Sequence, residues 1–432
     1  MSFSEWKEIK LGDVAEVLSG YAFKTKDFVE TGIPVVKIKN IVPPVVDISD
    51  TQYVSEDLYR DKIKYSLEFN DILISMTGSH INQFASAVGK IGRVKLLDQK
   101  LLLNQRVGKL YIKDPDRCNQ EYLYYFLTQD NIRYDLAASA GGSANQANIS
   151  PQNIRDIDIM LPPLAEQKAI ANILSSLDEK IELNNQMNKT LEEMAQALFK
   201  RWFVDFEFPN EDGEPYRSGG GEMVNSELGM IPKGWKVNKI SDLIEVRDGT
   251  HASPKPVKEG YPLVTSKHMN GDRLTVEQAN LISEKDYIEV NKRSQVDTGD
   301  ILISMIGTVG LVYFIQEEKI EYAIKNIGLF KTSKKEEIRE LLYLYLKSAG
   351  LKNYIEARLA GTTQKYISLG ELRNIPIVIP TDEILVKFKG VAKSILDTRR
   401  NNIVENEVLV RLRDTLLPKL MSGEIRVTDL QN

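Results

Sequence analysis

The chain has 432 residues, of which 42% are hydrophobic and 27% charged, and its formal net charge is −5. This length predicts two or three domains with folded cores. The single cysteine, Cys118, excludes a disulfide framework, and no apolar run reaches the ~20 residues of a membrane span, so a soluble, cytoplasmic protein is expected. The negative charge argues only weakly against nucleic acid, because local basic loops matter more than the sum.

Residues 1–160 predict a first globular domain of mixed α/β type. The runs VVKIKNI, DILISM and KLYIKD are rich in β-branched residues and are bounded by Gly, Asn or Asp, as is typical of strands. The run QEYLYYFLTQDNIRYDLAA predicts a helix. Asp71 precedes one of the strands, and we interpret it as a turn residue rather than a catalytic carboxylate.

Residues 161–203 predict one long helix. Apolar and amide residues alternate by three and four, which is the spacing of a coiled-coil seam. Pro162 and Pro163 suit the helix start, and about 40 residues give roughly 60 Å of helix. The seam positions in this helix are Leu174, Leu177, Ile181, Asn184, Asn188, Leu191 and Leu198.

Residues 204–234 and 235–378 predict a linker and a second globular domain. The linker is rich in Gly, Pro and acidic residues. The second domain repeats the first, because NDILISMTG returns as GDILISMIG and Trp6-Lys7 returns as Trp235-Lys236. Asp300 is the counterpart of Asp71 and has the same interpretation.

A second long helix is predicted at residues 379–423, followed by a tail at 424–432. It matches the first helix at a constant shift of 218 residues, so that Pro162 matches Pro380 and Leu198 matches Leu416. Its seam positions are Ile395, Asn402, Asn406, Leu409 and Leu416. Each helix follows its own domain, so an antiparallel coiled coil with pseudo-twofold symmetry is expected, and polar seam residues would set its register. The alternative is that each helix packs on its own domain.

Catalytic signatures are absent from the sequence. There is no GxxxxGK[ST] loop, no GxGxxG after a strand and no His/Cys/Asp/Glu spacing typical of metal ligands. Asp178-Glu179-Lys180 resembles the acid–Lys pairs of nucleases, but on a coiled-coil helix such charges usually lie on a solvated face. We therefore predict no catalytic residue and no metal site.

Two similar but unequal domains separated by paired helices indicate a protein that recognises two short sites at a fixed distance on a linear polymer. For DNA, this means a bipartite site with a spacer that is not read. Different loops in the two domains would make the site asymmetric.

The runs LPPLAEQKAIANILSSLDEKIELNN, RDTLLPKLMSGEIRV and SGYAFKTKDF resemble the specificity subunit of type I restriction-modification systems. The resemblance covers essentially the whole chain, although IPTDEILVKFKG in the second helix lacks the Glu-Gln pair of the first. It implies two target recognition domains that read double-stranded DNA. It also implies that the helices dock two modification subunits, which methylate adenine with S-adenosylmethionine. Restriction subunits using ATP and Mg would join the complex, and this chain itself would bind no cofactor.

Candidate DNA-binding residues follow from loop position in the repeat and from side chains with paired donors and acceptors. In the first domain they are Tyr21, Lys24, Lys37, Lys39, Asn40, Thr77, Ser79, His80, Asn82, Gln83, Asn145, Gln146 and Asn148. In the second domain they are Arg247, Thr250, His251, Lys267, His268, Asn270, Thr308, Lys325, Asn326, Thr363, Gln364 and Lys365. Lys24, Lys37, Lys39, Lys267 and Lys365 are expected to contact phosphate. The alternative is that Asn and Gly here only form turns.

The helix ends carry a further cluster of large apolar side chains. Two explanations are open: an interface for a partner subunit, or packing against the neighbouring recognition domain. The residues concerned are Leu198, Phe199, Trp202, Phe203, Leu416, Leu417 and Leu420.

Two other functions compete with the specificity subunit. An enzyme in its own right would need a cofactor loop or a set of metal-binding carboxylates. A scaffold that assembles partners without reading bases, such as a degenerate specificity subunit, is disfavoured by the polar loops in both domains.

Overall fold

The computed structural model of the chain describes residues 6–79, 83, 88–96, 98–143, 146–362 and 364–427. The chain divides into two compact units. Unit 1 comprises Met1–Leu183 and Asn406–Asn432, and unit 2 comprises Asn184–Glu405. Each unit has its own main hydrophobic core. None of the helices in the described part of the chain is long and apolar enough to span a membrane.

Unit 1 combines strands with short helices. The strands are β1 (Lys7–Lys10), β2 (Ala15–Ser19), β3 (Phe28–Val29), β4 (Ile33–Val36), β5 (Ile41–Val42), β6 (Val45–Val46), β7 (Gln52–Val54), β8 (Ser66–Leu67), β9 (Ile72–Ser75), β10 (Thr77–Gly78), β11 (Ile91–Arg93), β12 (Leu101–Leu103), β13 (Val107–Ile112), β14 (Gly141–Ser143), β15 (Gln146–Asn148) and β16 (Asp158–Leu161). The helices are α1 (Glu56–Asp61), α2 (Gln120–Leu127), α3 (Asp130–Ala138) and α4 (Pro151–Arg155), together with parts of the long helices α5 (Leu164–Phe203) and α11 (Asp382–Ser422).

Two larger sheets organise unit 1. Their strand orders are β2-β13-β9-β11-β6-β5 and β3-β7-β4-β12-β8, while β10-β15-β14 and the antiparallel pair β1-β16 form smaller sheets. Strand β9 pairs on both sides, with β13 and β11, and all four of its residues are buried. This explains its continuous apolar run, because a strand buried on both faces does not alternate apolar and polar residues.

Unit 2 repeats this plan with fewer strands. Its strands are β17 (Met223–Ser226), β18 (Gly229–Pro232), β19 (Lys236–Lys239), β20 (Val246–Asp248), β21 (Tyr261–Val264), β22 (Leu281–Ile282), β23 (Ile301–Ser304), β24 (Val312–Phe314), β25 (Ala323–Ile324), β26 (Ile327–Phe330) and β27 (Pro376–Ile379). Its shorter helices are α6 (Ile240–Leu243), α7 (Glu284–Ser294), α8 (Arg339–Lys347), α9 (Ala349–Glu356) and α10 (Leu369–Arg373).

The sheets of the two units match strand for strand. The order β20-β26-β23-β24 in unit 2 reproduces β2-β13-β9-β11 in unit 1, and the pair β19-β27 reproduces β1-β16. Ser150 and Ser368 cap the equivalent helices α4 and α10 by accepting hydrogen bonds from the backbone of the first turn. The predicted mixed α/β class and the predicted duplication are therefore confirmed.

The recurring aspartates Asp71 and Asp300 each close a turn before the central strand. Asp71 accepts a hydrogen bond from Glu68 N at 2.7 Å, and Asp300 accepts one from Asp297 N at 2.8 Å. Each also forms an ion pair with a lysine of the neighbouring strand region. Burial raises the pKa of Asp71 above its ordinary value despite its lysine partner. The predicted turn role is confirmed, since both carboxylates hold the chain rather than face a cleft.

The long helices α5 and α11 pair antiparallel within each unit. In unit 2, Asn184 Nδ2 donates to Glu405 at 2.8 Å and Asn402 Nδ2 donates to Asn188 Oδ1 at 3.0 Å. In unit 1, Arg413 contacts Asp178 at 2.9 Å. Residue numbers thus increase along α5 where they decrease along α11, so the two helices are antiparallel, as predicted. All the seam residues predicted from the sequence are buried or half-buried.

Ion pairs at the helix seam also connect each helix pair to its unit. In unit 2, Glu192 of α5 lies 3.5 Å from Arg399 of α11 and 2.8 Å from Lys347 of α8. Asp272 joins the same cluster through Arg399 and Lys347. In unit 1, the Tyr125 hydroxyl donates to Asp178 at 2.7 Å. Asp178 was expected on a solvated face, and that expectation is wrong because the residue sits between Arg413 and Tyr125.

The large apolar residues at the helix ends belong to the unit cores. Phe199, Trp202 and Phe203 are buried in the main core of unit 2, where Phe203 meets Phe388 edge to face with ring centroids 4.7 Å apart. Leu198 packs at the edge of that core, and Leu416, Leu417 and Leu420 pack in the core of unit 1. Of the two explanations for these residues, the structure supports packing against the recognition domain.

The helix boundaries differ slightly from the predicted ones. The first helix starts at Leu164 rather than at residue 161, because Asp158–Leu161 form strand β16. The second starts at Asp382 rather than at residue 379, because Pro376–Ile379 form strand β27. The predicted linker at residues 204–234 contains the antiparallel hairpin β17-β18.

Candidate nucleic-acid interface

Four loops of unit 1 converge around Asn104 and Gln105, and they carry Tyr21, Lys37, Thr77 and Asn148. We call these loops, and their equivalents in unit 2, the loop cluster of each unit. Tyr21 N donates to Leu103 O at 2.9 Å, and Gln105 N donates to Tyr21 O at 2.9 Å. Asn104 N donates to Val36 O at 3.0 Å, which brings the neighbouring Lys37 loop to the same place. Strand pairing therefore assembles loops that are far apart in the sequence.

A small sheet adds two more of the candidate polar loops of the first domain. Thr77 pairs with Asn148 in the antiparallel pair β10-β15, and Thr77 Oγ1 donates to Asn148 Oδ1 at 2.8 Å. Met76 N donates to Arg106 O at 2.9 Å. Strands β10 and β15 thus meet beside the turn that contains Gln105.

Unit 2 shows the same convergence with different side chains. Thr250 N donates to Ile324 O at 3.0 Å, Asn326 N to Thr250 O at 3.3 Å, and Lys325 N to Val264 O at 2.8 Å. These bonds correspond one by one to those around Tyr21, Gln105 and Asn104. Gly307 N donates to Lys365 O at 3.3 Å, which joins the remaining two candidate loops of the second domain.

Glycine allows the close approach at the centre of each loop cluster. A Cβ on Gly20 would lie 2.3 Å from Leu103 O, and a Cβ on Gly249 would lie 2.4 Å from Ile324 O. Both residues hold the same position of the repeat, directly before Tyr21 and Thr250. Only a residue without a side chain lets these backbones pack so closely.

Comparison with known proteins identifies the repeated domain. The family model for the type I restriction modification DNA specificity domain matches residues 3–193 and 232–407. The chain belongs to this family. The two matches coincide with the two repeats, so each unit contains one specificity domain.

Curated relatives match along nearly the whole chain. The type I restriction enzyme MjaIX specificity subunit of Methanocaldococcus jannaschii is 28% identical, covering 99% of this chain and 95% of the relative. The HindI specificity subunit of Haemophilus influenzae is 26% identical, covering 98% of this chain and 100% of the relative. A crystal structure of the type I restriction-modification system S subunit from M. genitalium matches in fold, with a TM-score of 0.60, 16% identity and 96% coverage of both chains.

Two predicted contacts of the specificity domains are buried in turns. Asn40 is buried; its Oδ1 accepts from Lys37 N at 2.9 Å and its Nδ2 donates to Asp47 O and Asp50 O. His268 holds the same position in unit 2, where its Nδ1 accepts from Thr265 N at 3.0 Å. Burial, with a contribution from Lys267, lowers the pKa of His268. Both residues stay predicted DNA contacts, and in the structure each closes the turn that presents a neighbouring lysine.

Three predicted basic contacts already have partners within the domains. Lys39 pairs with Asp50 at 2.7 Å, and Lys37 donates to Gln52 and lies 4.1 Å from the centre of the Phe28 ring. Burial and the nearby Lys39 lower the pKa of Lys37. Arg247 donates to Glu245 and to Arg293 O, each at 2.6 Å. These side chains would have to exchange partners to reach a phosphate.

Most of the other predicted contacts have exposed or half-exposed positions. Thr77 is buried beneath Asn148 and supports it. Tyr21, Ser79, Thr250, Lys325 and Asn326 are half-buried, and the exposed residues are Lys24, Gln83, Asn148, His251, Lys267, Asn270, Thr308, Gln364 and Lys365. His80, Asn82, Asn145, Thr363 and the side chain of Gln146 lie outside the described residues.

Sequence reasoning missed several exposed residues of the same loops. Gln105 and Arg106 lie at the centre of the unit 1 cluster, and the repeat could have indicated them because they align with Asn326. Tyr366 is 43% exposed and pairs with Ile306, where unit 1 has the Asn148–Thr77 pair. Lys255 is also exposed, in the loop that Lys325 contacts through Ser253 at 2.6 Å.

Carboxylates and histidines are not gathered into a metal site in the described part of the chain. No group of three or more His, Cys, Asp or Glu side chains there is placed to hold a metal ion. The polar side chains of the loop clusters are mostly amides, hydroxyls and lysines, which suit hydrogen bonding to base edges and phosphates.

Proposed function

We propose that this chain is the DNA-recognition subunit of a type I restriction-modification complex and that each specificity domain reads one block of a bipartite sequence. The observation that supports this most directly is the repeated convergence of polar loops at one place in each unit. The same backbone hydrogen bonds build both clusters, around Gln105 in unit 1 and around Asn326 in unit 2. Two domains that share a backbone framework but differ in their loops are suited to reading two different DNA sequences.

The two loop clusters offer different chemistry, so the proposed site is asymmetric. At one equivalent position unit 1 has Asn148, whose amide can donate and accept hydrogen bonds, and unit 2 has the exposed ring of Tyr366. Amides suit adenine, whereas aromatic and apolar groups suit the thymine methyl group or an unstacked base. Loss of one base contact should cost ~1–3 kcal/mol at a single position of the site.

The helices α5 and α11 are proposed to dock two modification subunits. Met194 of α5 is 51% exposed in unit 2, and Leu412 of α11 is 44% exposed in unit 1. These two residues are equivalent under the shift of 218 that relates the helices. Exposed apolar side chains at the same place in both repeats suit two copies of one partner.

In this proposal the partner subunits carry out the catalytic reactions. The modification subunits would bind S-adenosylmethionine and methylate adenine, and restriction subunits would use ATP and Mg. This chain would contribute recognition and assembly, and no catalytic residue is proposed in it.

The test of recognition is a methylome. The chain is co-expressed with its modification subunit in a host without adenine methylation, and modified adenines are mapped across the genome. The proposal expects one asymmetric motif of two short blocks around a fixed gap. A motif with a single block would mean that one domain does not read DNA, and a stable complex without methylation would support a scaffold instead.

The test of docking uses charged substitutions at the two equivalent positions. Met194→Asp and Leu412→Asp should each remove one modification subunit, because an unpaired carboxylate is costly in an apolar interface. The mass of the complex, measured in solution, reports the loss. Ile288→Asp, at an apolar residue of α7 that is 54% exposed, is the matched control and should leave two copies bound. Two bound copies in both helix variants would refute this docking surface.

A further inference from the structure

A buried carboxylate supports two polar side chains in the loop cluster of unit 2. Asp248 is 3% exposed, and its Oδ2 lies 2.9 Å from His251 Nε2. His251 Nδ1 lies 2.8 Å from Asn326 Oδ1. The chain Asp248–His251–Asn326 therefore runs from the buried strand β20 to the centre of the loop cluster. Arg293 of α7 holds the second carboxylate oxygen of Asp248.

Asn326 occupies the position where unit 1 has Gln105. Asn326 N donates to Thr250 O as Gln105 N donates to Tyr21 O, so both repeats place a side-chain amide at the same point. The backbone φ of Asn326 is +55°, a left-handed conformation that only a few residue types adopt readily. Among the described residues, the Nδ2 of Asn326 has no protein partner, so one half of the amide remains available to a ligand.

Among the described residues of unit 1, this network has no counterpart. Ser19 and Ala22 stand where unit 2 has Asp248 and His251, by the backbone pairing of β2 and β20 with their neighbours. The amide of Gln105 therefore lacks the restraint that holds Asn326. A feature present in only one of two homologous clusters suits specificity rather than folding.

We infer that Asn326 reads one base of the second block and that Asp248 and His251 are positioning residues that decide which edge of its amide faces the DNA. This inference rests on the proposed DNA-reading function. It follows from the hydrogen-bonding capacity of the three side chains, which allows two arrangements.

In the first arrangement the imidazole ring is doubly protonated. Nε2–H donates to Asp248, Nδ1–H donates to Asn326 Oδ1, and the amide presents its Nδ2–H donors outward. In the second arrangement the ring is neutral and Nε2–H still donates to Asp248. Nδ1 is then an acceptor, so the amide must turn by about 180° to offer Nδ2–H to it, and its oxygen faces outward.

The two arrangements select different bases. An outward donor matches the O6 or O4 acceptor of guanine or thymine in the major groove. An outward acceptor matches the amino group of adenine or cytosine. Base preference at this one position should therefore depend on the imidazole ring that fixes the amide of Asn326.

Charged groups around the ring hold it in this position. Asp248 faces Nε2 directly, and Arg293 contacts Asp248 from α7. Arg247 is paired with Glu245. The side chain of His251 is 62% exposed and that of Asp248 is 4% exposed, so His251 can be replaced without opening the core.

The experiment measures DNA binding by the chain in complex with its modification subunit. The methylome supplies the cognate site, and duplexes are prepared with all four bases at each position of both blocks. Dissociation constants are measured at one pH and one salt concentration for all complexes, because affinity for DNA depends on salt. The variants are Asn326→Ala, His251→Gln and Asp248→Asn, with Lys285→Gln on the exposed side of α7 as the matched control.

One position of the second block should prefer either guanine or thymine, or adenine or cytosine, by about tenfold in relative affinity, according to the edge of the amide that faces the DNA. Asn326→Ala should relax specificity at that position alone. His251→Gln should relax specificity at the same position and at no other, because the ring no longer fixes the amide, and Asp248→Asn should do the same because the ring loses the carboxylate that orients it. His251→Gln keeps the test valid if Asp248→Asn fails to fold, since His251 is exposed.

The inference is overturned if the wild-type complex binds its site specifically but Asn326→Ala relaxes no position of the second block. It is also overturned if His251→Gln keeps the full preference at the position that Asn326→Ala relaxes. Failure of the proposed function would differ from both outcomes, because the wild-type complex would then fail to discriminate any sequence.

Discussion

Alanine at Gly20 or Gly249 should disable one specificity domain at a time. Each glycine lies where two loops of its own unit touch, before Tyr21 in unit 1 and before Thr250 in unit 2. The substitution adds one methyl group and no charge. Its effect therefore reports the closeness of the backbones and nothing else.

The structure gives the size of the clash. A Cβ on Gly20 would lie 2.3 Å from Leu103 O and 2.4 Å from Asn104 C, and a Cβ on Gly249 would lie 2.4 Å from Ile324 O. Favourable contacts between such atoms are about 3.5–4 Å, so the loops must separate by roughly 1 Å. The atoms in the way are backbone and cannot rotate aside. Overpacking of this kind costs about 1–3 kcal/mol, or about 2–12 °C in Tm.

A shift of that size exceeds the roughly 0.5 Å within which a binding constellation must be held. Gly20→Ala should therefore degrade recognition of the block read by unit 1, and Gly249→Ala that of the block read by unit 2. Losing one or two base contacts weakens discrimination by about 10- to 100-fold. The methylome of each variant measures this, and thermal unfolding measures the cost in stability.

Gly390→Ala on α11 is the matched control. A Cβ there meets nothing within 4 Å, and alanine favours a helix by about 1 kcal/mol over glycine. It should keep the full motif and a Tm no lower than that of the wild type. The reasoning is refuted if Gly20→Ala keeps both blocks and the wild-type Tm, or if a folded Gly20→Ala loses the block that Gly249→Ala also loses.

Three further predictions concern stability and reactivity. Burial raises the pKa of the Cys118 thiol to about 12, so a thiol reagent at about pH 8 should fail to label the native protein and label it fully once unfolded. Arg413→Ala should lower the free energy of unfolding, measured by denaturant titration, by about 1–3 kcal/mol, because it leaves the half-buried Asp178 without its cation. Removing Lys393 from its exposed ion pair should cost less than about 1 kcal/mol in the same assay. Burial of Asp272 would raise its pKa, but two basic neighbours outweigh this effect and lower it. The stabilisation that Asp272 gives to the folded state is therefore present above the ordinary aspartate pKa of about 4 and is lost as pH falls through the lowered pKa. Asp272→Asn should flatten this part of the profile of unfolding free energy against pH.

The loop residues show how far sequence reasoning can place a side chain. Asn148 and Asn326 were selected for their amide chemistry, and the structure places both in the converged clusters. Asn40 and His268 were selected on the same grounds, yet both are buried in turns. An amide that closes a turn and an amide that awaits a base are identical in sequence, and only the neighbouring backbone distinguishes them.

The apolar helix ends show a second limit of the same kind. Trp202 and Phe203 could have faced a partner or the domain core, and the spacing along the helix is equal in both cases. The structure places them against Phe388 and Trp235. The exposed positions that remain for a partner, such as Met194, carry smaller side chains that the sequence pattern did not single out.

Local rules were sufficient for the features that depend on period and repetition. The heptad spacing with Asn184 and Asn402 in the seam determined two long paired helices. The duplicated DILIS run determined two similar domains. Both features follow from the pattern of apolar side chains that must be buried away from water. Tertiary structure alone decided which loops meet and that Asp248 stands behind His251. These relations join residues that are far apart in the sequence, such as Tyr21 and Gln105, 84 positions apart, and Asp248 and Asn326, 78 positions apart, through backbone hydrogen bonds and buried charge. No periodic pattern records such contacts, because strand pairing acts at long range and leaves the loop sequences free to vary.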